Sequence, residues 1–563
     1  MVHLHLHTHF SFGVGVSSPE VLARAAAERG LGALACTDTN GVYGAIEFQR
    51  ATEAAGVRPI LGAHLVTDDE ETVALATDEH GWAALCRTIT RIHWSGAKDG
   101  KTDGKDGKTP SVLPSFRLSA GLARDRDGLI LLSRDPAFLE RVLRLSGRRD
   151  LYAELVPGKA RHAVLAAARR LGLPSAVTNA AVMAHPEDWQ RHRLLRAIHL
   201  NTTLSALTEP DHPMVDMREA DHTSDRPTAP PSDRHHPYSG RSVRPSDRLA
   251  PRDAWLRPAD DLARQFPDCP EALRAAVEIA ERCRYRIPIG RIVAPRFADA
   301  ADALAALRAL AYAGAERRYG TVAPVTRARL EHELAIIGAK GFADYFLVVR
   351  DIVEHGPTHC GRGSVANSVV SYCLGITHVE PLGAGLLFER FLNPERRDPP
   401  DIDLDFPWDE RDNVLAYVFR RYPHPQAAMV ANHNCFRLRG ALREVAKVHG
   451  RPNGEIREVT RRIPAFEDLP LEELLATHPN FKALDLPPSW QELARMAAPL
   501  VGMPRHLSLH PGGVVIVPTA LTDYVPVEPA VKTLAVDQDQ FPDGAPVVPV
   551  VQFEKDGAED AGL

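Results

Sequence analysis

The run Pro400-Asp401-Ile402-Asp403-Leu404-Asp405-Phe406 alternates acidic and apolar residues. In a strand, successive side chains leave on opposite faces. Asp401, Asp403 and Asp405 then share one face, and Ile402, Leu404 and Phe406 share the other. Neighbouring carboxylates on that face stand ~6–7 Å apart along the chain. Like charges this dense repel unless cations neutralise them, and hard divalent ions such as Mg2+ prefer oxygen ligands. Two such ions, ~3.5–4 Å apart, can activate a hydroxyl nucleophile and stabilise a departing pyrophosphate. An acidic edge strand that resists aggregation would show the same alternation.

Three further groups could do chemistry. Gly361-Arg362-Gly363-Ser364 reads as a turn at the start of a helix closed by Gly375, with Ser364 as its cap. Free N–H groups at a helix start beside an arginine suit a phosphate. His3, His5, His7 and His9 share one face if residues 2–10 form a strand, and neutral imidazoles suit Zn2+, Mn2+ or iron. Asp38, at the end of the next strand, is placed to join them, as in a site with a metal-activated water. Arg439 and Arg443 are four residues apart, so they share one helix face that can meet a phosphate backbone or simply face solvent.

The elements that position these residues fall into two textures. Residues 1–95 alternate short strands and helices, with Ser18-Pro19 opening one helix and Gly30 closing it. This rhythm predicts a parallel sheet or barrel. The Lys-, Asp- and Gly-rich tract 96–110 reads as a surface insertion, and the polar stretch 206–252 as a disordered linker. Beyond residue 253 the chain turns helical. Thr326 is expected to cap a helix that buries Leu330, Leu334 and Ile337 and stops at Gly341. Residues 436–500 are helical again, and 511–552 are β-rich.

Of 563 residues, 25% are charged and 44% hydrophobic, with a formal net charge of −6. These values fit an ordinary globular protein and leave nucleic acid open as a partner, provided its basic residues are concentrated locally. The seven cysteines contain no C-x-x-C pair, which argues against a disulfide framework or a thiolate zinc site. No run of 18 apolar residues occurs, so a cytoplasmic protein without membrane spans is expected.

GRGSVANSVVSYCLGIT, GLLFERFLNPER and PDIDLDF follow one another at short spacing and closely resemble the palm of the bacterial C-family polymerases, the DNA polymerase III alpha subunit family. AMVANHNCFRLRGALREVAK, HLSLHPGGVVIV and VVQFEKDGAEDAGL look most like its error-prone branch. The N-terminal residues resemble a PHP (polymerase and histidinol phosphatase) domain. The resemblance implies an α/β multidomain chain: a PHP (β/α) barrel over 1–205, the linker 206–252, a polymerase-beta-like nucleotidyltransferase palm with helical lead-in over 253–432, a helical thumb over 433–505, and a returning palm segment over 506–563. It implies template-directed DNA synthesis in replication or repair. Asp401 and Asp403 match the catalytic pair that holds two Mg2+ ions. Gly361, Arg362, Gly363 and Ser364 match the loop for the triphosphate, and Arg390 lies in a motif that meets phosphate. Primer–template DNA and dNTPs are the implied partners, with a sliding clamp or repair-polymerase accessory proteins beside them. The family's third aspartate belongs to a strand beyond Leu563, so the chain reads as a truncated member. In the PHP domain the resemblance identifies His5, His7 and Asp38 as metal ligands. Thr39, Val14, His64 and Thr178-Asn179-Ala180-Ala181-Val182 depart from the pattern. The expectation is one structural Zn2+ or Mn2+ at most and no proofreading nuclease. A PHP phosphoesterase, or a DNA-binding relative without activity, is the alternative.

Overall fold

The computed structural model describes residues 2–95, 116–207, 249–356, 358–395, 402–464, 469–482 and 486–563. The tract 96–110, Asp401 and most of the stretch 206–252 lie outside these residues. Two compact units arise. The first combines Met1–Ile92, Phe116–Arg286 and His433–Ser508; the second combines His93–Ser115, Ile287–Asn432 and Leu509–Leu563.

The first unit is built on a six-stranded sheet in sequence order: β1 (Ala33–Thr39), β2 (Arg58–Val66), β3 (Glu71–Ala76), β4 (Leu129–Ser133), β5 (Leu151–Leu155) and β6 (Ser175–Val177). The sheet is mixed rather than wholly parallel, because β3 runs antiparallel to both neighbours. Residues 67–70 explain the reversal: four residues can make a hairpin but not a parallel crossover. The remaining pairs, β1–β2, β4–β5 and β5–β6, are parallel.

Residues 2–10 do not form the expected strand. His3 and Leu6 make isolated bridges, to Leu34 and Ala181, and the backbone bends at His5. The segment still laces the first strand to the residues after the last. Ala35 N–H donates to His3 O and Thr37 N–H to Leu6 O, while His7 N–H donates to Ala181 O. Apolar residues of the sheet, among them Ala35, Ile60, Leu75 and Ile130, pack with Ala276, Ile279 and Ala280 of helix Pro270–Arg282. A second core in this unit joins Trp189 and Leu195 of helix Trp189–His199 to Leu442, Val445, Trp490 and Leu493 of the later helices. The Trp490 indole N–H, otherwise buried, donates to Glu455.

In the second unit, helices Ala303–Tyr319, Pro324–Lys340 and Ala343–His355 enclose a core with Leu330, Leu334 and Ile337 fully buried. Helix Pro324–Lys340 starts two residues before Thr326, which lies inside it and is buried. Pro324 takes the first helical position, where its missing N–H costs nothing. Gly341 ends the helix in a left-handed conformation. Two further sheets are formed. One is the ribbon of β7 (Cys360–Arg362) and β8 (Asp403–Asp405). The other has the order β10 (Pro504–Ile516), β9 (Ala427–Cys435), β12 (Pro549–Glu554) and β11 (Val527–Pro529).

Candidate functional site

The β7–β8 ribbon gathers the carboxylates and the glycine turn. Its register sets Arg362 opposite Asp403 and Gly361 opposite Leu404. Ile402 and Leu404 pack on the helical core, which leaves Asp403 and Asp405 on the open face. The Arg362 guanidinium spans both: Nη1 is 3.0 Å from Oδ2 of Asp403, and Nε is 2.9 Å from Oδ2 of Asp405. Gly361 is required by close approach, since a Cβ there would meet Ile376 O at 2.2 Å. Gly363 has φ +75°, and a Cβ on it would lie 3.8 Å from Oδ2 of Asp403. The turn therefore leaves β7 directly beside the carboxylate strand.

The helix after this turn differs from expectation. Gly363–Asn367 form a short 3-10 turn, and the α-helix begins only at Val369. Its cap is Ser368, whose Oγ accepts from Ser371 N–H, so Ser364 caps nothing there. The N–H groups of Val369 and Val370 donate to the buried carboxylate of Glu333. They are spent inside the protein and unavailable to a phosphate. Beside Asp403 stand the solvent-exposed Arg362, paired with both carboxylates, and the exposed Gly363 at the start of the turn. Arg390 is exposed at the end of Phe388–Arg390, and its neighbour Glu389 pairs with His332. Asp401 cannot be placed, because it lies outside the described residues.

The histidines divide. His5, His7 and His64 bring one ring nitrogen each within 4.8 Å of one another, all buried, and form a group fit to hold a metal ion. His3 turns away to Arg257 O, and His9 packs edge-on against Phe10. The bend at His5 explains why four residues on alternate positions do not share one face. Asp38 does not join the group. Its fully buried carboxylate accepts from Thr8 N–H, Thr8 Oγ1 and Ser11 Oγ, each at 2.7 Å, and pins the loop 8–11 instead. It reaches the histidines only through Ser11, whose Oγ lies 2.8 Å from His7 Nδ1.

Two residues that the sequence reading missed complete this centre. His64, which departs from the family pattern, supplies a nitrogen to the group. Glu154 holds His5 Nδ1 at 2.6 Å and also accepts from Thr178 Oγ1. Burial would raise its carboxyl, but His5 and Arg134 outweigh burial and hold its pKa at about 2. A carboxylate there makes His5 Nδ1 the donor. Ser11 Oγ already donates to Asp38, so His7 Nδ1 is a donor too. His5 Nε2 and His7 Nε2 lie 3.1 Å apart, close enough to share one cation between them. Burial first, then the neighbouring imidazoles, push the pKa of His7 well below its usual value, and burial does the same for His64. Both stay neutral, as metal ligands must. A visible signal existed for Glu154: it is the one charge in the apolar strand LYAEL.

Arg439 and Arg443 sit exposed on helix Leu438–Val448. Arg439 donates to Ile463 O and Arg443 to Glu444.

Known proteins match both halves. Residues 305–563 match the family model for the bacterial DNA polymerase III alpha NTPase domain, and residues 3–170 match the PHP domain. The whole chain is 34% identical to an error-prone DNA polymerase of Symbiobacterium thermophilum, covering 50% of that protein. It is 30% identical to the DNA polymerase III subunit alpha of Bacillus subtilis, covering 47% of it. Over 97% of the chain, identity to an error-prone DNA polymerase of Anaeromyxobacter is 32%, with 52% of that protein covered. Over its whole length the chain is similar to bacterial DNA polymerase III alpha subunits and error-prone DNA polymerases. It spans about half the length of the curated relatives it matches. The β7–β8 ribbon lies inside the part matched by the polymerase model, and His5, His7, His64 and Glu154 lie inside the part matched by the PHP model. Among the described residues, no helix is long and apolar enough to cross a membrane.

Proposed function

We propose that this chain is a member of the polymerase III alpha family and serves template-directed DNA synthesis, joining a dNTP to a primer 3′-hydroxyl. The observation that carries the reading is the β7–β8 pairing, which sets the glycine turn and Arg362 against Asp403. In this reading Asp401 and Asp403 hold two Mg2+ ions, a fit to hard carboxylate oxygens. When bound, these ions supply activation of the 3′-hydroxyl and neutralisation of the leaving pyrophosphate. Arg362 and the Gly363–Ser364 turn grip the triphosphate tail, with Arg390 as a further phosphate contact. The bond from the primer oxygen to the alpha phosphorus forms as the bond to pyrophosphate breaks. The chain's part is chiefly positioning and charge neutralisation. Residues 1–205 then act as a PHP barrel, 253–432 as the palm, 433–505 as the thumb and 506–563 as a returning palm segment. Arg439 and Arg443 track the backbone of primer–template DNA. A sliding clamp or repair-polymerase accessory proteins are the expected further partners.

The test is primer extension with Mg2+, using this 563-residue sequence and the same sequence carried to the full length of its relatives. Asp403→Ala should abolish synthesis wherever it is seen. Substantial synthesis by Asp403→Ala would overturn the assignment.

The His5–His7–His64 group favours a second role in the same chain. It holds one transition-metal ion, Zn2+ or Mn2+, that braces the PHP half. Metal-dependent phosphoester hydrolysis that needs His5 and His7 but not Asp403 would instead make the PHP half an enzyme.

A further inference from the structure

We infer that Glu333 is a positioning residue for the triphosphate-binding turn, holding the outgoing end of Gly361–Ser368 in register with Asp403. The inference rests on the polymerase reading above. Glu333 lies on helix Pro324–Lys340 and is fully buried. Its carboxylate accepts from Ser368 Oγ at 2.8 Å and from the N–H groups of Val369 and Val370 at 3.0 Å each. Three consecutive residues thus donate to one side chain. Arg329 closes the arrangement, with Nε 2.7 Å from Glu333 and Nη2 3.2 Å from both Asn367 O and Leu386 O. Asn367 in turn donates from Nδ2 to Ser364 O at 2.8 Å, inside the turn itself.

The turn is therefore anchored at both ends by different means. Its incoming end is a ladder strand: Gly361 pairs with Leu404, and its carbonyl accepts from Thr377 Oγ1. Its outgoing end has no ladder; within it Asn367 Nδ2 holds Ser364 O, and Ser368 Oγ caps the helix that follows. There the buried carboxylate does the work, and only an ionised one accepts from all these donors at once. A glutamine of the same shape has one acceptor oxygen and turns an N–H2 toward backbone N–H groups, leaving buried donors unsatisfied. The turn then loses the fixed exit that aims Gly363 and Ser364 at a phosphate, while Asp403 on β8 is untouched.

The experiment compares the wild-type chain with Glu333→Gln, Ser368→Ala and Asp403→Ala. The readouts are calorimetric binding of dATP with Mg2+, the kcat and KM for dNTP in primer extension, primer–template affinity and Tm. Glu333→Gln should raise dNTP Kd and KM by about ten- to a hundredfold, with kcat within a few-fold and primer–template binding unchanged. Ser368→Ala, which removes one donor to Glu333 and the acceptor for Ser371 N–H, should move the same constants a few-fold in the same direction and serves if Glu333→Gln does not fold. A fall in Tm with wild-type nucleotide binding would mean a structural role only and overturn the inference. So would a loss of kcat at unchanged KM. If either result came while Asp403→Ala still abolished synthesis, the polymerase reading would stand without Glu333. Absence of nucleotide binding and synthesis in the wild type would bring down both.

Discussion

At the residue scale, the histidine centre depends on orientation as much as on ligand identity. Glu154 fixes the ring of His5 and Ser11 that of His7, so these two imidazoles present Nε2 toward each other before any ion arrives. Outer partners of this kind tune affinity strongly. The purified chain is expected to carry about one equivalent of Zn2+ or Mn2+ by elemental analysis. His5→Ala and His64→Ala should each remove it. Glu154→Gln should retain the ligands but weaken binding ~10–100-fold in a chelator competition. Full metal content in His64→Ala would show that the third ligand lies elsewhere. His64 was hard to recognise from sequence because its value depends on β2 lying beside β1 in register Thr39↔His64, a long-range pairing.

At the element scale, the carboxylate site is a property of a two-stranded ribbon only three residues long on each side. Such a ribbon is marginal alone and relies on the core under Ile402 and Leu404. Gly361 is its tightest point. Gly361→Ala would push a methyl into the Ile376 carbonyl, and either the helix exit at Gly375–Ile376 or β7 must yield. The expected cost is ~1–3 kcal/mol of stability, with loss of synthesis because Arg362 and the turn shift off Asp403. Thermal unfolding and primer extension together check it. Wild-type behaviour in both would mean that the strand spacing is softer than the geometry implies.

At the scale of the whole molecule, buried neutral imidazoles tie stability to pH. His192, on helix Trp189–His199, receives Ala250 N–H at Nε2 and donates from Nδ1 to Val14 O. Burial, aided by the Arg196 charge and only partly opposed by the Val14 bond, pushes its pKa down to about 4. An unfolded histidine titrates near 6.5. Between those values the unfolded chain binds the extra proton, so stability is complete above pH 6.5 and falls as the pH drops toward 4. The full loss from this residue is about 3 kcal/mol. His192→Gln should flatten the dependence of Tm on pH across that window, whatever its effect at neutral pH. An unchanged slope would remove His192 from the account.

Local periodicity made much of this protein legible in advance. Alternation in PDIDLDF separated the carboxylates from Ile402 and Leu404, and glycine stops at Gly341 and Gly375 ended helices where written. These features depend on neighbours within a few residues, so the sequence by itself determined them. The withdrawal of Asp38 into the loop 8–11, the capture of the Val369 and Val370 N–H groups by Glu333, and the recruitment of His64 and Glu154 were decided only by the tertiary structure. Each joins residues far apart in the chain, some more than a hundred positions away, and no spacing rule within a segment encodes which distant donor or acceptor a buried polar group must satisfy.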